Sequence, residues 1–239
     1  MSVLAATVAC WVTLAVPGVP PSAKSRQTVL DLARRLADGA FLRPTLALAF
    51  ATAALAAGVG FLPVLGHRAG LGPAATGAAV SLLALCAAVT QPRAGRALDD
   101  ERFDASAGLV VGLAVTAAGL ACAPLPGPAG LLSAAVLIGI GTGIITPLGF
   151  ASLAAAAEPE RLGATMGSAE LGRELGDAGG PLLVGAVALA AGLGAGFGAL
   201  GVLTALAALL THRTRPPADS HRRYGRCGAR GAAPRPKVS

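Results

Sequence analysis

Charge is confined to a few places in this chain, and that confinement limits the folds open to it. Of the 19 Lys and Arg residues, 18 fall in residues 21–43, 91–104, 154–177 and 212–239. Between these stretches run long blocks almost free of charge. Charged residues make up only 13% of the chain and hydrophobic ones 54%. A soluble domain carries roughly 25% charge, so this chain cannot coat a water-facing surface but can coat a lipid-facing one. The blocks predict seven membrane spans, at 2–19, 40–65, 74–90, 105–122, 129–153, 164–191 and 193–210. Each is close to the ~17–25 residues that cross a bilayer. The fold class is therefore all-α integral membrane, with about seven transmembrane helices.

Alternation of these spans puts the four charged stretches on one side. The opposite side holds Arg68 alone among the basic residues, and all twelve acidic residues share the basic side. Positive residues mark the cytoplasmic face. The expected topology is multi-pass in the plasma membrane, with the N-terminus outside and the C-terminus cytoplasmic. A net charge of +7 is compatible with nucleic acid, but aromatics are only 3%, too few for base stacking. No nucleic-acid partner is expected; the lipid bilayer is.

The first apolar block lacks the positive n-region and cleavage site of a signal peptide and reads as a span. Residues 21–39 read equally as an interfacial amphipathic helix or as a solvated linker. The tail 212–239, rich in Arg, Pro and Gly, reads as disordered. Cys10, Cys86 and Cys122 lie in apolar runs, where cysteine acts as a small hydrophobe. No Cys or His spacing matches a metal or redox site, so no metal and no cofactor are expected.

Residues 166–185, MGSAELGRELGDAGGPLLVG, carry the densest pattern. Gly172, Gly176 and Gly180 recur every four residues and line one face of a helix. Interior glycine costs a helix in water about 1 kcal/mol relative to alanine. In a bilayer, small residues at this spacing let two helix backbones touch. Pro181 follows, and neighbouring helices can satisfy the carbonyl it frees. Arg173 and Asp177 are four apart and can pair, with Glu170 and Glu174 flanking them. They lie about one turn into the span. Two readings stand: an interfacial network that ties helix ends together, or a gate or proton-linked site with Asp177 at its centre.

In the charged stretch 91–104, Gly95 and Asp99 are four apart, with Arg93 and Arg96 nearby. Glycine permits close helix approach here, and Asp99 can charge-pair a neighbouring helix N-terminus. By spacing alone, a plain charged turn obeying the positive-inside rule is the simpler reading. Gly139, Gly141, Gly143 and Pro147 in the fifth block serve either bending or close packing.

These two patterns together resemble the major facilitator superfamily of secondary transporters. Gly167, eight residues, Gly176, three residues, Gly180-Pro181 and Gly185 resemble the antiporter-type glycine–proline motif, with Val184 where a second glycine is usual. Gly95, Arg96 and Asp99 resemble the charged loop motif that follows the second span of each six-helix half, with Asp100 where a basic residue is usual. The resemblance implies the C-terminal half of such a transporter. Residues 1–20 would be the last span of the other half, 21–39 the inter-half loop, 40–211 the six-helix half-bundle and 212–239 the tail. It also implies two three-helix repeats, alternating access and a small-molecule substrate held between halves, with proton-coupled efflux as the expected mode. One half cannot enclose that cavity. The expectation is a truncated or partial copy, or assembly with a second half-transporter chain or a homodimer. Two rival classes remain. One is a non-transporting interaction subunit that packs on a partner through its glycine faces. The other is an intramembrane enzyme, for which no nucleophile–base set or midplane acidic pair is present.

Overall fold

The computed structural model describes Trp11, residues 39–100 and residues 104–213. The expected first span, most of the 21–39 loop and nearly all of the tail lie outside the described residues. The chain divides into a unit of residues 1–33 and a unit of residues 34–239, and everything below concerns the second.

The described part of that unit holds six long helices and no strand: α1 (Gly39–Arg68), α2 (Pro73–Asp99), α3 (Ala105–Cys122), α4 (Gly127–Ala156), α5 (Leu162–Ala191) and α6 (Leu193–Arg213). A 3-10 turn, Pro159–Arg161, leads into α5. All six are long and apolar enough to cross a membrane. Thirty-residue α1, α4 and α5 extend about 45 Å, more than the ~30 Å hydrocarbon core, so their ends project from it or they tilt. The protein is a multi-pass membrane protein with six described spans; the first of the seven expected spans lies outside the described residues.

The boundaries shift most at α2. The expectation placed a charged loop over 91–104, but α2 continues as helix through Asp99. The stretch QPRAGRALD is rich in good helix formers, and charge at an interface does not interrupt a helix. Pro92 removes one intrahelical bond, yet the helix runs through it, as α5 runs through Pro181 and α4 through Pro147. Three of the five chain reversals between these helices use a glycine at positive φ, Gly70, Gly127 and Gly192. Gly192 alone separates α5 from α6, at φ 88° and ψ 162°, a region essentially closed to residues with a Cβ.

α4 is the centre of the bundle. It packs on α1, α2 and α3, while α1 packs chiefly on α5, and α3 and α5 each pack on α6. The core is built from Leu48, Leu62, Leu83, Leu113, Leu120, Ile138, Ile145 and Phe197, all fully buried. Between them lie threonines whose hydroxyls donate to carbonyls one turn back on their own helix. Thr116 bonds Gly112 O, Thr142 bonds Ile138 O and Thr204 bonds Leu200 O, each at 2.8 Å. Every buried side-chain polar atom among the described residues is thereby satisfied, as a water-free interior requires.

Burial is uneven. In the most apolar 18-residue window of α4, 56% is buried, against 22% for α2 and 11% for α5. The helix with the densest sequence pattern is thus the least enclosed.

Candidate functional site

α5 meets α1 along the face that carries Gly172, Gly176 and Gly180. A methyl group built on Gly172 would stand 2.6 Å from Thr45 Cγ2. One on Gly176 would run into the Ala49 carbonyl oxygen, and one on Gly180 into the Ala53 carbonyl oxygen. Residue numbers rise together along both helices, so the two run parallel. Thr45, Ala49 and Ala53 share the four-residue spacing of the glycines, so each glycine sits on one small residue of α1. Backbone-to-backbone contact of this kind needs residues without side chains on one helix.

Thr52 ties the crossing. Its hydroxyl lies 2.9 Å from the Arg173 carbonyl oxygen of α5 and 3.0 Å from the Leu48 and Ala49 carbonyl oxygens of α1. It stands between the two backbones at the level of Gly176, within 2.7 Å of where a Gly176 Cβ would be. Nothing in the glycine pattern singles out Thr52. The small-residue spacing of Thr45, Ala49 and Ala53 is the signal that would have located the partner face.

The remaining motif glycines do not join the contact. Gly167 has open space around it, and Gly185 is in ordinary contact with Phe61, 3.7 Å from its Cζ. Gly95 also faces open space, so no described helix packs closely on α2 there. Arg96 and Asp99 lie exposed on the last turns of α2.

The charged cluster resolves differently from its spacing. Arg173 takes Glu170 as its partner, with Nε 2.9 and 3.0 Å from the two carboxylate oxygens and Nη2 2.7 Å from Oε1. Glu174 stands 3.4 Å away. Asp177 is not among the ion pairs of Arg173. The fork of a guanidinium matches one carboxylate face-on, and Glu170, with its longer side chain, reaches it from one turn below. Asp177 is left exposed beside Gly176.

The register with α1 also gives its depth. Gly176 lies opposite Ala49, six residues beyond Arg43, the last charge α1 carries before its apolar run. Asp177 therefore sits about 10 Å, or roughly two turns, past that charge. The Glu170–Arg173–Glu174 group lies nearer the helix end.

The same crossing borders an apolar groove of about 390 Å³. Leu46 and Phe50 of α1 line it, with Leu175, Gly179 and Leu183 of α5 and Leu203 of α6. No group of His, Cys, Asp and Glu among the described residues is arranged to hold a metal.

In the fifth block, Gly139, Gly141 and Gly143 are close-packing positions. Gly139 sits on the Leu83 carbonyl and Gly143 on the Ala87 carbonyl of α2, while Gly141 sits against Thr116 and Gly112 of α3.

Comparison with curated proteins gives no match. The family model described as Major Facilitator Superfamily matches residues 45–238. That match spans most of the chain and covers all of α2 to α6 and nearly all of α1. Six apolar helices, cross-packed as two sets of three, agree with it, and the chain belongs to the major facilitator superfamily, a family of membrane transporters.

Proposed function

We propose that the chain works as part of a secondary transporter that moves a small molecule by alternating access, with proton-coupled efflux as its mode. The observation that carries this reading is Asp177, an exposed carboxylate about two turns past Arg43 along the α1–α5 crossing and outside the Arg173 ion pairs. Ionisable groups at such depth are expensive and are kept for function. It lies beside a backbone contact that can slide, because Gly176 and Gly180 place no side chain between α5 and α1. In this mechanism Asp177 binds and releases the proton. Pro181 weakens α5 one turn beyond it, since it cannot donate to the Asp177 carbonyl. The Glu170–Arg173–Glu174 group braces the end of the helix as a gate network. Arg96 and Asp99 brace the corresponding end of α2. The substrate occupies the space between this bundle and a second half, supplied by another chain or another copy. The charged ends face the cytoplasm of a plasma-membrane protein.

The test is proton movement in sealed vesicles carrying the full chain and a trapped pH dye. Addition of a panel of small amphiphilic solutes should give a solute-dependent pH change. Asp177→Asn should abolish it, while Arg96→Gln should only slow it. Solute movement without any pH change would end the proton-coupled reading.

A second reading is supported by a different surface. Leu171, Leu175, Leu182 and Leu189 lie on one face of α5 and are 63–92% exposed. A non-transporting subunit that packs on a partner helix would use this leucine face, because Gly172, Gly176 and Gly180 are already engaged by α1. Solute-independent assembly of the chain, with no flux in the same vesicles, favours it.

A further inference from the structure

α5 and α6 pack directly: a methyl group on Gly196 would stand 2.5 Å from the Val184 carbonyl oxygen. α2 and α3, though also consecutive, scarcely touch, because both lean on α4 instead. A cavity of about 290 Å³ lies between them. Ala94 and Ala97 of α2, Val111 of α3 and Ile144 and Leu148 of α4 line it, so it is almost wholly apolar. Val111 is 45% exposed, so the cavity communicates with the lipid-facing surface.

Among the described residues, one charged side chain borders this crevice. Arg93 turns back along α2, toward the middle of the span, and its Nη1 donates to the Val89 carbonyl at 2.7 Å. That bond uses one of five guanidinium N–H groups. Arg93 stands twenty residues, or about 30 Å, from the start of α2, at the expected edge of the hydrocarbon core. Among the described carboxylates of the region, Asp99 ends α2, Asp100 caps it, and Asp104 accepts a hydrogen bond of 2.5 Å from Ser106 at the start of α3.

A cation at headgroup depth above an apolar crevice open to the bilayer has the chemistry of a phospholipid site. We propose that the α2–α3 crevice holds an acyl chain of an anionic phospholipid from the leaflet at the charged end of the helices, with its phosphate on Arg93. A basic side chain at the membrane surface attracts anionic lipid by about fivefold. The crevice adds a place for the chain that a free phosphate would not use.

The test uses the full chain with Trp11→Phe and a single reporter, Ala114→Trp, exposed on α3 one turn from Val111 and outside the crevice lining, in phosphatidylcholine vesicles. Brominated phosphatidylglycerol or brominated phosphatidylcholine is titrated in, and tryptophan quenching is read. Phosphatidylglycerol should quench at about one-fifth the mole fraction that phosphatidylcholine needs. A reporter at Leu206→Trp on α6 should show no such preference. Arg93→Gln should remove the preference at Ala114→Trp while Arg96→Gln keeps it. Ala94→Phe, which fills the crevice, should remove it with Arg93 intact. Inorganic phosphate should not compete. Equal quenching by the two lipids overturns the proposal. So does a preference that survives both Arg93→Gln and Ala94→Phe, and so does displacement by phosphate.

Discussion

Two parallel crossings in this bundle are built alike and placed differently. At one, Gly139 and Gly143 of α4 sit on the Leu83 and Ala87 carbonyls of α2. At the other, Gly176 and Gly180 of α5 sit on the Ala49 and Ala53 carbonyls of α1. Both use two glycines four residues apart against two backbone carbonyls four residues apart. The surroundings differ. α4 is hemmed in by α1, α2 and α3, so an α4 residue that grows has nowhere to move. α5 has α1 on one side and exposed leucines on the other. The same local contact is therefore fixed at the first crossing and free to shift at the second. It is the second that carries the buried threonine bridge and the charged cluster. Close packing by itself leaves no room for motion; close packing with an open side does.

The comparison breaks first if bulk is added at the enclosed crossing. Gly139→Val places methyls against the Leu83 carbonyl and Cys86, with no room behind. Loss of stability at or beyond the ~3 kcal/mol end of the overpacking range is expected, seen as loss of folded protein in a detergent thermal melt. Gly176→Val adds the same bulk at the open crossing. Here α5 can yield, so a loss of about 1–2 kcal/mol is expected, together with slower cross-linking between cysteines placed at Thr45 and Gly172. Equal melts for the two variants would show that enclosure does not separate the crossings.

Thr52→Val keeps shape and removes the hydroxyl that links the α1 and α5 backbones. Interhelical side-chain bonds in membranes average about 0.6 kcal/mol, and a loss of that size is expected in a detergent unfolding titration. Glu170→Gln cuts a half-exposed pair with Arg173 and should cost only about 0.2–0.5 kcal/mol, an effect that fades in high salt. At the bottom of the scale, Gly95→Ala meets open space within a helix. It should stabilise by up to about 1 kcal/mol through helix propensity. A loss of stability there would reveal a partner against the end of α2.

The apolar blocks made the helices legible. The block 105–122 coincides with α3, because a lipid-spanning helix must satisfy all its backbone groups internally and ends where polarity returns. The same logic failed at α2, where Gln91 to Asp99 are polar but helical: hydropathy reports the edge of the lipid, not the end of the helix. The four-residue glycine spacing indicated a packing face on α5 but not the helix it meets, since several helices offer alanine ridges. Arg173 illustrates the limit of spacing more sharply. Glu170, Glu174 and Asp177 are all within helical reach of it, and only side-chain length and rotamer choose Glu170. Thr52 was invisible because a threonine on an apolar helix ordinarily bonds its own backbone, as Thr45, Thr116 and Thr204 do.

At both crossings the glycines belong to the second set of three helices and the carbonyl ridges to the first. During synthesis α1, α2 and α3 enter the membrane before any of those glycines has been made. Their ridges must wait beside lipid until α4 reaches α2, and α1 must wait longer still for α5. The order of assembly is thus written into which helix lacks side chains. A chain that repeated its first three helices would hold two ridges and, at these positions, nothing smooth enough to rest on them.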